Sequence, residues 1–284
     1  MRNKKVIVVS GFSRGGTNIL WNIFQSHPEI CSASFETGTI FHKKRHKFSS
    51  VISVLRRTGL IRFKPFLHLM DYQFFRYKMR NYTDRQNKYK FEGETYSKEE
   101  VKNAAICFKS VDYDIFHTDH LLRMYPDLYF IGLARNGYAT AEGHLRRGRS
   151  VQDFGKLYNK IAGRMEKYSR ELKKFKLVKF EDILEHPFKV AGELFEFTDC
   201  RPVELEKLRL KSKKIIKKDG VHQATFGVQG EKYWFDKKSI GDFLDSGINK
   251  MQLERLDRNV IKEFNKEAKE ALSFFGYEIL NPDS

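Results

Sequence analysis

Four apolar residues, Val6, Ile7, Val8 and Val9, run directly into Ser10-Gly11-Phe12-Ser13-Arg14-Gly15-Gly16-Thr17-Asn18. An apolar, mostly β-branched run without polar alternation suits a strand buried on both faces, as in a parallel sheet. The glycines let the backbone turn through angles that side chains resist. Beyond them Ile19, Leu20, Ile23 and Phe24 recur at helical spacing, so a helix capped by Thr17 or Asn18 is expected. Strand, glycine turn and helix together gather N–H groups around a phosphate. The stretch therefore predicts an α/β fold: a P-loop-like parallel sheet flanked by helices.

The loop departs from the nucleoside-triphosphate pattern G-x-x-x-x-G-K-[ST]. Gly11 and Gly16 keep its separation, but Thr17 stands at the lysine position and Asn18 at the magnesium-ligand position. Arg14 is the cation of the loop. Such a loop can cradle a phosphate but lacks the usual parts for magnesium–triphosphate, and no metal is expected.

Residues 30–35 read as a second strand ending in Glu36-Thr37. The functional loops of a parallel sheet lie at the carboxyl ends of its strands. Glu36 thus shares an edge with the phosphate loop, as a general base or as a solvated carboxylate. Strands over 105–109 and 128–134 end in Lys109-Ser110 and Arg135-Asn136-Gly137. Arg135 is a second anion site on that edge, or an arginine paired with Glu142. A helix follows over 139–147, with Arg146 and Arg147 near its end. Residues 177–180 form a further strand, and the Glu181-Asp182 after it could be mistaken for the acidic strand end that holds magnesium in ATPases. Helices are expected over about 188–197 and 251–275.

A chain of 284 residues can bury a substantial core as a single α/β domain. Its net charge of +17 implies anionic partners. Residues 38–104 hold a dense basic run, 42–47, and helical periodicity in Val51, Ile52, Val54 and Leu55, then from Phe66 to Phe75. They are expected as a basic helical insertion over the carboxyl edge. Residues 201–240 are Lys-rich with Gly220, Gly227 and Gly230, and are expected as a loop or lid. His42 and His46 have the i,i+4 spacing of helical metal ligands, but no carboxylate is near to complete a site. The three cysteines, Cys31, Cys107 and Cys200, form no disulfide or zinc pattern and suit a reducing compartment. With strand 1 starting near residue 5 and no 18-residue apolar run, no signal peptide or membrane span is expected, and a cytoplasmic location follows.

In order, these motifs resemble those of sulfotransferases that use 3′-phosphoadenosine 5′-phosphosulfate (PAPS). Gly11 to Asn18 resembles the 5′-phosphosulfate loop G-x-P-[RK]-[SG]-G-T-[TS]. Leu133-Ala134-Arg135-Asn136-Gly137, with Ala139 and Arg147, resembles the 3′-phosphate motif L-x-R-[DN]-[PG]-x-x-x-x-x-S. Val178-Lys179-Phe180-Glu181-Asp182-Ile183 resembles V-R-Y-E-D-L, and Phe275-Gly276-Tyr277 resembles the terminal L-G-Y. Ser26-His27-Pro28-Glu29-Ile30, leading to Glu36-Thr37, is most similar to tyrosylprotein sulfotransferases and their bacterial relatives.

The resemblance implies sulfuryl transfer from PAPS to a hydroxyl acceptor, with adenosine 3′,5′-bisphosphate as product. It implies Glu36 as base and Arg14 at the leaving phosphate; Lys109, at a neighbouring strand end, is expected to orient the acceptor or stabilise charge. Ser13, Arg14, Gly15, Gly16, Thr17 and Asn18 would hold the phosphosulfate, Arg135 and Arg147 the 3′-phosphate, and Phe180 the base. Three departures stand out: Gly143 replaces the 3′-phosphate serine, Phe180 the tyrosine, and the family's tryptophan ahead of the last segment falls near Phe243, with Trp234 as a stand-in. A small-molecule kinase and a catalytically inactive basic module for nucleic acid or glycan are the alternatives.

Overall fold

The computed structural model describes residues 1–41, 54, 58–60, 63–216 and 222–282. Five strands form one parallel sheet: β1 (Val6–Gly11), β2 (Ile30–Glu36), β3 (Ala105–Val111), β4 (Tyr129–Ala134) and β5 (Phe175–Lys179). Their order is β2-β3-β1-β4-β5. Every residue of β1 and β4 is buried, which is why both read as apolar runs rather than alternating ones.

Alternate residues of β1 serve two cores. Val6 and Val8 join a layer with α2 (Lys64–Met79), α3 (Gly137–Leu145), α4 (Val151–Glu171) and α7 (Arg258–Phe274). Ile7 and Val9 face α1 (Thr17–Phe24) and α5 (Pro187–Phe197) on the other side. The chain places β2 and β3 on one side of β1, then crosses to β4 and β5 on the other. That reversal opens a crevice at the carboxyl end of β1.

Several expected boundaries shift. β2 ends on Glu36 and β3 runs to Val111. Helix α1 is capped by Gly16 at φ 90°, with no side-chain cap, so neither Thr17 nor Asn18 plays that part. The single helix expected over 251–275 is two, α6 (Ile248–Leu253) and α7. The Asp257 carboxylate accepts from Val260 N at 2.9 Å and starts a new helix there. Helix α4 was not among the expected elements, although its buried residues recur at helical spacing behind the N-cap Ser150.

Residues 201–240, expected as a loop or lid, carry two antiparallel pairs. β6 (Lys207–Lys211) pairs with β9 (Lys232–Asp236), and β7 (Lys214–Ile216) with β8 (His222–Ala224). At the carboxyl edge the described part of the basic insertion begins with Gly38, which lines the cleft there and donates its N–H to Asp114 at 2.9 Å. Helix α2 packs on a sheet face through Leu67, Met70 and Phe74. Its Asp71 accepts from Asn3 ahead of β1, and its Lys78 donates to Ala104 O ahead of β3, at 2.8 Å. Both ties lie at the amino ends of the strands. The basic run 42–47, with His42 and His46, and Val51, Ile52 and Leu55 lie outside the described residues. Among the described residues, no helix is long and apolar enough to cross a membrane.

Candidate active site

The phosphate loop is built on Phe12, whose buried ring stacks on Tyr158 at 4.5 Å and meets Phe275 edge-on. Gly15 N donates to Phe12 O at 2.9 Å, closing the turn. Arg14 then takes φ 68° and Gly16 φ 90°. A Cβ on Gly16 would lie 2.2 Å from the Phe180 ring, so this glycine is required twice, by its backbone angle and by close approach. Gly16→Ala is expected to cost about 1–3 kcal/mol of stability, from strain plus the clash, as read from denaturant unfolding.

The rest of the loop is pinned from outside. Ser13 N donates to Asp112 Oδ1 at 2.8 Å. His144 Nε2 lies 3.1 Å from Ser13 O, and its ring stacks on Phe154 at 4.1 Å. Burial pushes the His144 pKa down, which favours the neutral ring. The amides of Gly16, Thr17 and Asn18 have no hydrogen-bond partner among the described residues. They gather at the N-terminus of α1, where the helix dipole favours an anion.

The cation missing from position 17 arrives from the neighbouring strand. Glu36 and Lys109 are register partners across β2 and β3. Lys109 Nζ lies 2.8 Å from Glu36 Oε1, donates to Asn18 Oδ1 and sits 4.9 Å from the Trp21 ring centroid. Burial pulls the Lys109 pKa down, while the Glu36 carboxylate opposes that shift. Thr17 is buried, with its methyl group beside Gly11.

Arg135 is also buried, and most of its donors are engaged within the chain. Its Nε and Nη2 reach Asn249 Oδ1 at 3.0 and 2.8 Å, Nη2 also reaches Gln252 Oε1, and Nη1 donates to Arg14 O. Its guanidinium lies over Phe180, 4.5 Å from the ring centroid. Burial lowers its pKa to about 10, still well above neutrality. Glu142, the partner considered for it, instead pairs with Arg146 at 2.7 Å and Arg255 at 3.2 Å. Glu181 does not present a free acidic strand end. It accepts from Asn136 N at 3.0 Å and from Tyr277 OH at 2.7 Å, as well as from Asn249. The phenylalanine–glycine–tyrosine motif near the C-terminus thus fastens the Arg135 turn.

One cleft of ≈ 1070 Å³ gathers Ser13, Arg14, Gly16, Thr17, Asn18, Glu36, Lys109, Arg135, Arg147 and Phe180. Of the expected site residues only Gly15 is not in its wall; its place is the turn beneath. Gly143 also lines the cleft, 3.6 Å from Arg14 and Gln252 measured from an added Cβ, so ordinary space remains there. Asp112 and Asp114 line it without having been singled out, and so do Lys211 and Lys213, from the run 211–218 read as a solvated face rather than a nucleic-acid site. No local signal sets the two lysines apart.

A family model described as the sulfotransferase family matches residues 6–204. Among solved structures, the chain is similar to the sulfotransferase domain from the curacin biosynthetic pathway. The TM-score is 0.54 at 12% identity, covering 99% of this chain and 100% of that one. The sulfotransferase domain of the Synechococcus PCC 7002 olefin synthase gives a TM-score of 0.46 at 17% identity, covering 72% and 77%. Retinol dehydratase, solved with retinol and PAP, gives 0.42 at 11% identity, covering 99% and 84%. The curacin likeness shows a shared fold. No curated protein matches the chain.

Proposed function

The chain belongs to the sulfotransferase family, and we propose that it transfers a sulfuryl group from PAPS to a hydroxyl group, with Glu36 as the general base. The observation that carries this reading is the Glu36–Lys109 pair, set beside the three unpartnered amides of the phosphate loop in one cleft with Arg135.

The residues present suit the donor. Unpartnered loop amides and Arg14 match its 5′-phosphosulfate. Arg135, Arg147 and the helix around Gly143 match its 3′-phosphate, and the Phe180 ring offers an apolar face. PAPS supplies the sulfuryl group, with adenosine 3′,5′-bisphosphate as its leaving group. Glu36 takes the proton from the acceptor hydroxyl, while Lys109, held between Glu36 and Asn18, offsets negative charge growing near the loop. Arg135 anchors the loop through Arg14 O while its charge serves the 3′-phosphate half of the cleft. Arg147, exposed at the rim, approaches the same half.

The test is transfer of labelled sulfate from PAPS to a panel of phenols, sugars and tyrosine peptides, with and without chelator. Labelled product formed equally in both supports the reading; no transfer from PAPS, with transfer of labelled phosphate from γ-labelled ATP in its place, contradicts it. A second expectation concerns Gly143. Because a Cβ meets only ordinary contacts there, Gly143→Ser is expected to add one hydrogen bond to the 3′-phosphate. That should tighten adenosine 3′,5′-bisphosphate binding by about 3- to 10-fold, measured by titration calorimetry.

A further inference from the structure

Beyond the Glu36–Lys109 pair, the cleft is walled by residues that the transfer just proposed does not use. Lys211 ends β6 and Lys213 follows two residues later; both line the cleft with Glu36 and Lys109. The backbone that carries them is firmly held. Ser212 N donates to Glu231 O at 2.8 Å and Gly230 N to Ser212 O at 3.0 Å. Lys213 N donates to Thr225 Oγ1 at 3.0 Å, and Thr225 N to Lys213 O at 2.8 Å.

The charges around these lysines do not balance. Among the described residues, neither ammonium has an ion pair or a side-chain hydrogen bond. Glu36, the acid whose charge acts on Lys213, is engaged with Lys109 at 2.8 Å. Asp112 accepts from Ser13 N at 2.8 Å and Asp114 from Gly38 N at 2.9 Å. Half-buried Lys232 donates to the neutral side chains of Gln25 and Asn87 and adds no negative charge. Lys213 is close enough to Lys109, Lys211 and Glu36 for each charge to act on it. Burial, reinforced by the two neighbouring ammonium groups, lowers its pKa to about 8. Lys211 is exposed and Lys213 half-buried, and holding the half-buried ammonium beside like charges without a counter-ion of its own is unfavourable unless a ligand supplies the negative charge.

We propose that Lys211 and Lys213 form an anion subsite beside Glu36, and that the acceptor is a molecule bearing a sulfate, phosphate or carboxylate near its reactive hydroxyl. This rests on the transfer reading above, in which Glu36 marks the acceptor end of the cleft. The loop amides, Arg14 and Arg135 serve the donor, so the two lysines are left for the acceptor.

The first probe is inorganic sulfate, titrated into the full chain already saturated with adenosine 3′,5′-bisphosphate, at constant ionic strength. One sulfate should bind, at least tenfold more weakly to the Lys211→Gln/Lys213→Gln variant, with Lys213→Arg restoring most of the affinity. Bisphosphate affinity should be the same in all three proteins, which also reports that the variants are folded. The second probe is transfer to matched acceptors, a sugar against its phosphate ester and a tyrosine peptide with alanine or aspartate flanks. The anionic member should be favoured at least tenfold in kcat/KM, and the ratio should approach one in the double variant. Absence of sulfate binding to the saturated protein, or a ratio unchanged by the double variant, overturns the proposal. Loosened bisphosphate binding in the variants overturns it too, by assigning the lysines to the donor. Failure of the wild-type chain to bind bisphosphate is a different result and strikes the transfer reading itself.

Discussion

Glu36→Gln is expected to lower turnover about 10²- to 10⁴-fold, the range of a lost general base, while bisphosphate affinity stays within about threefold of wild type. The separation of the two effects follows from geometry. Glu36 is the last residue of β2 and approaches the phosphate loop through Lys109, not through the loop amides. Glutamine keeps the shape and can still accept from Lys109, so the lysine remains in place. What disappears is the carboxylate that can take a proton. The change also removes the charge that holds the Lys109 pKa up against burial, so the ammonium becomes easier to neutralise. Single-turnover transfer from PAPS, paired with calorimetric titration of the bisphosphate, reads both quantities. Unchanged turnover would place the base elsewhere in the cleft.

Lys109→Met is expected to lower turnover by about 10²- to 10³-fold, the loss typical of a positioned charge in a transition-state site. Unlike Glu36→Gln, it should also weaken bisphosphate binding. The ammonium touches both halves of the reaction, Glu36 Oε1 on the acceptor side and Asn18 Oδ1 on the loop. Methionine fills the channel beside Trp21 at nearly the same volume, so the fold should tolerate it better than an alanine cavity. The same two assays distinguish the variants: Glu36→Gln affects turnover alone, and Lys109→Met affects turnover and affinity. If the two losses multiply in the double variant, the residues act independently. If the double variant is no worse than either single one, they act as a unit, as their contact implies.

The parts of this site that lie close in sequence were legible before the fold was known. β1 and its loop announce themselves because burial on both faces permits only apolar residues, and the tight turn then demands glycine at position 16. Glu36, Lys109 and Arg135 follow from one rule, that strand ends of a parallel sheet converge. What the sequence hid are contacts between distant segments. Nothing local to Arg135 shows that Asn249 and Gln252, more than a hundred residues on, fill its donors. Nothing local to Glu181 shows that Tyr277 and Asn136 occupy it. Thr17 looked like a cap because threonine often is one, but the loop puts Gly16 at that position and buries Thr17 against Gly11. Nor does the sequence of the insertion show that Asp71 and Lys78 tie α2 to the amino ends of the strands. Lys211 and Lys213 are ordinary in sequence and unusual only in being left without counter-ions in the cleft.

The central claim is that this loop and Arg135 are built for a 3′-phosphoadenosine nucleotide rather than a magnesium–triphosphate. Thermal unfolding tests it directly, with adenosine 3′,5′-bisphosphate in chelator on one arm and ATP plus magnesium on the other. A ligand present at about 100 times its dissociation constant stabilises the folded chain by about 2.7 kcal/mol. The account predicts a shift of that size with the bisphosphate and none with magnesium–ATP at the same concentration. A shift with magnesium–ATP alone, or with neither ligand, would contradict it.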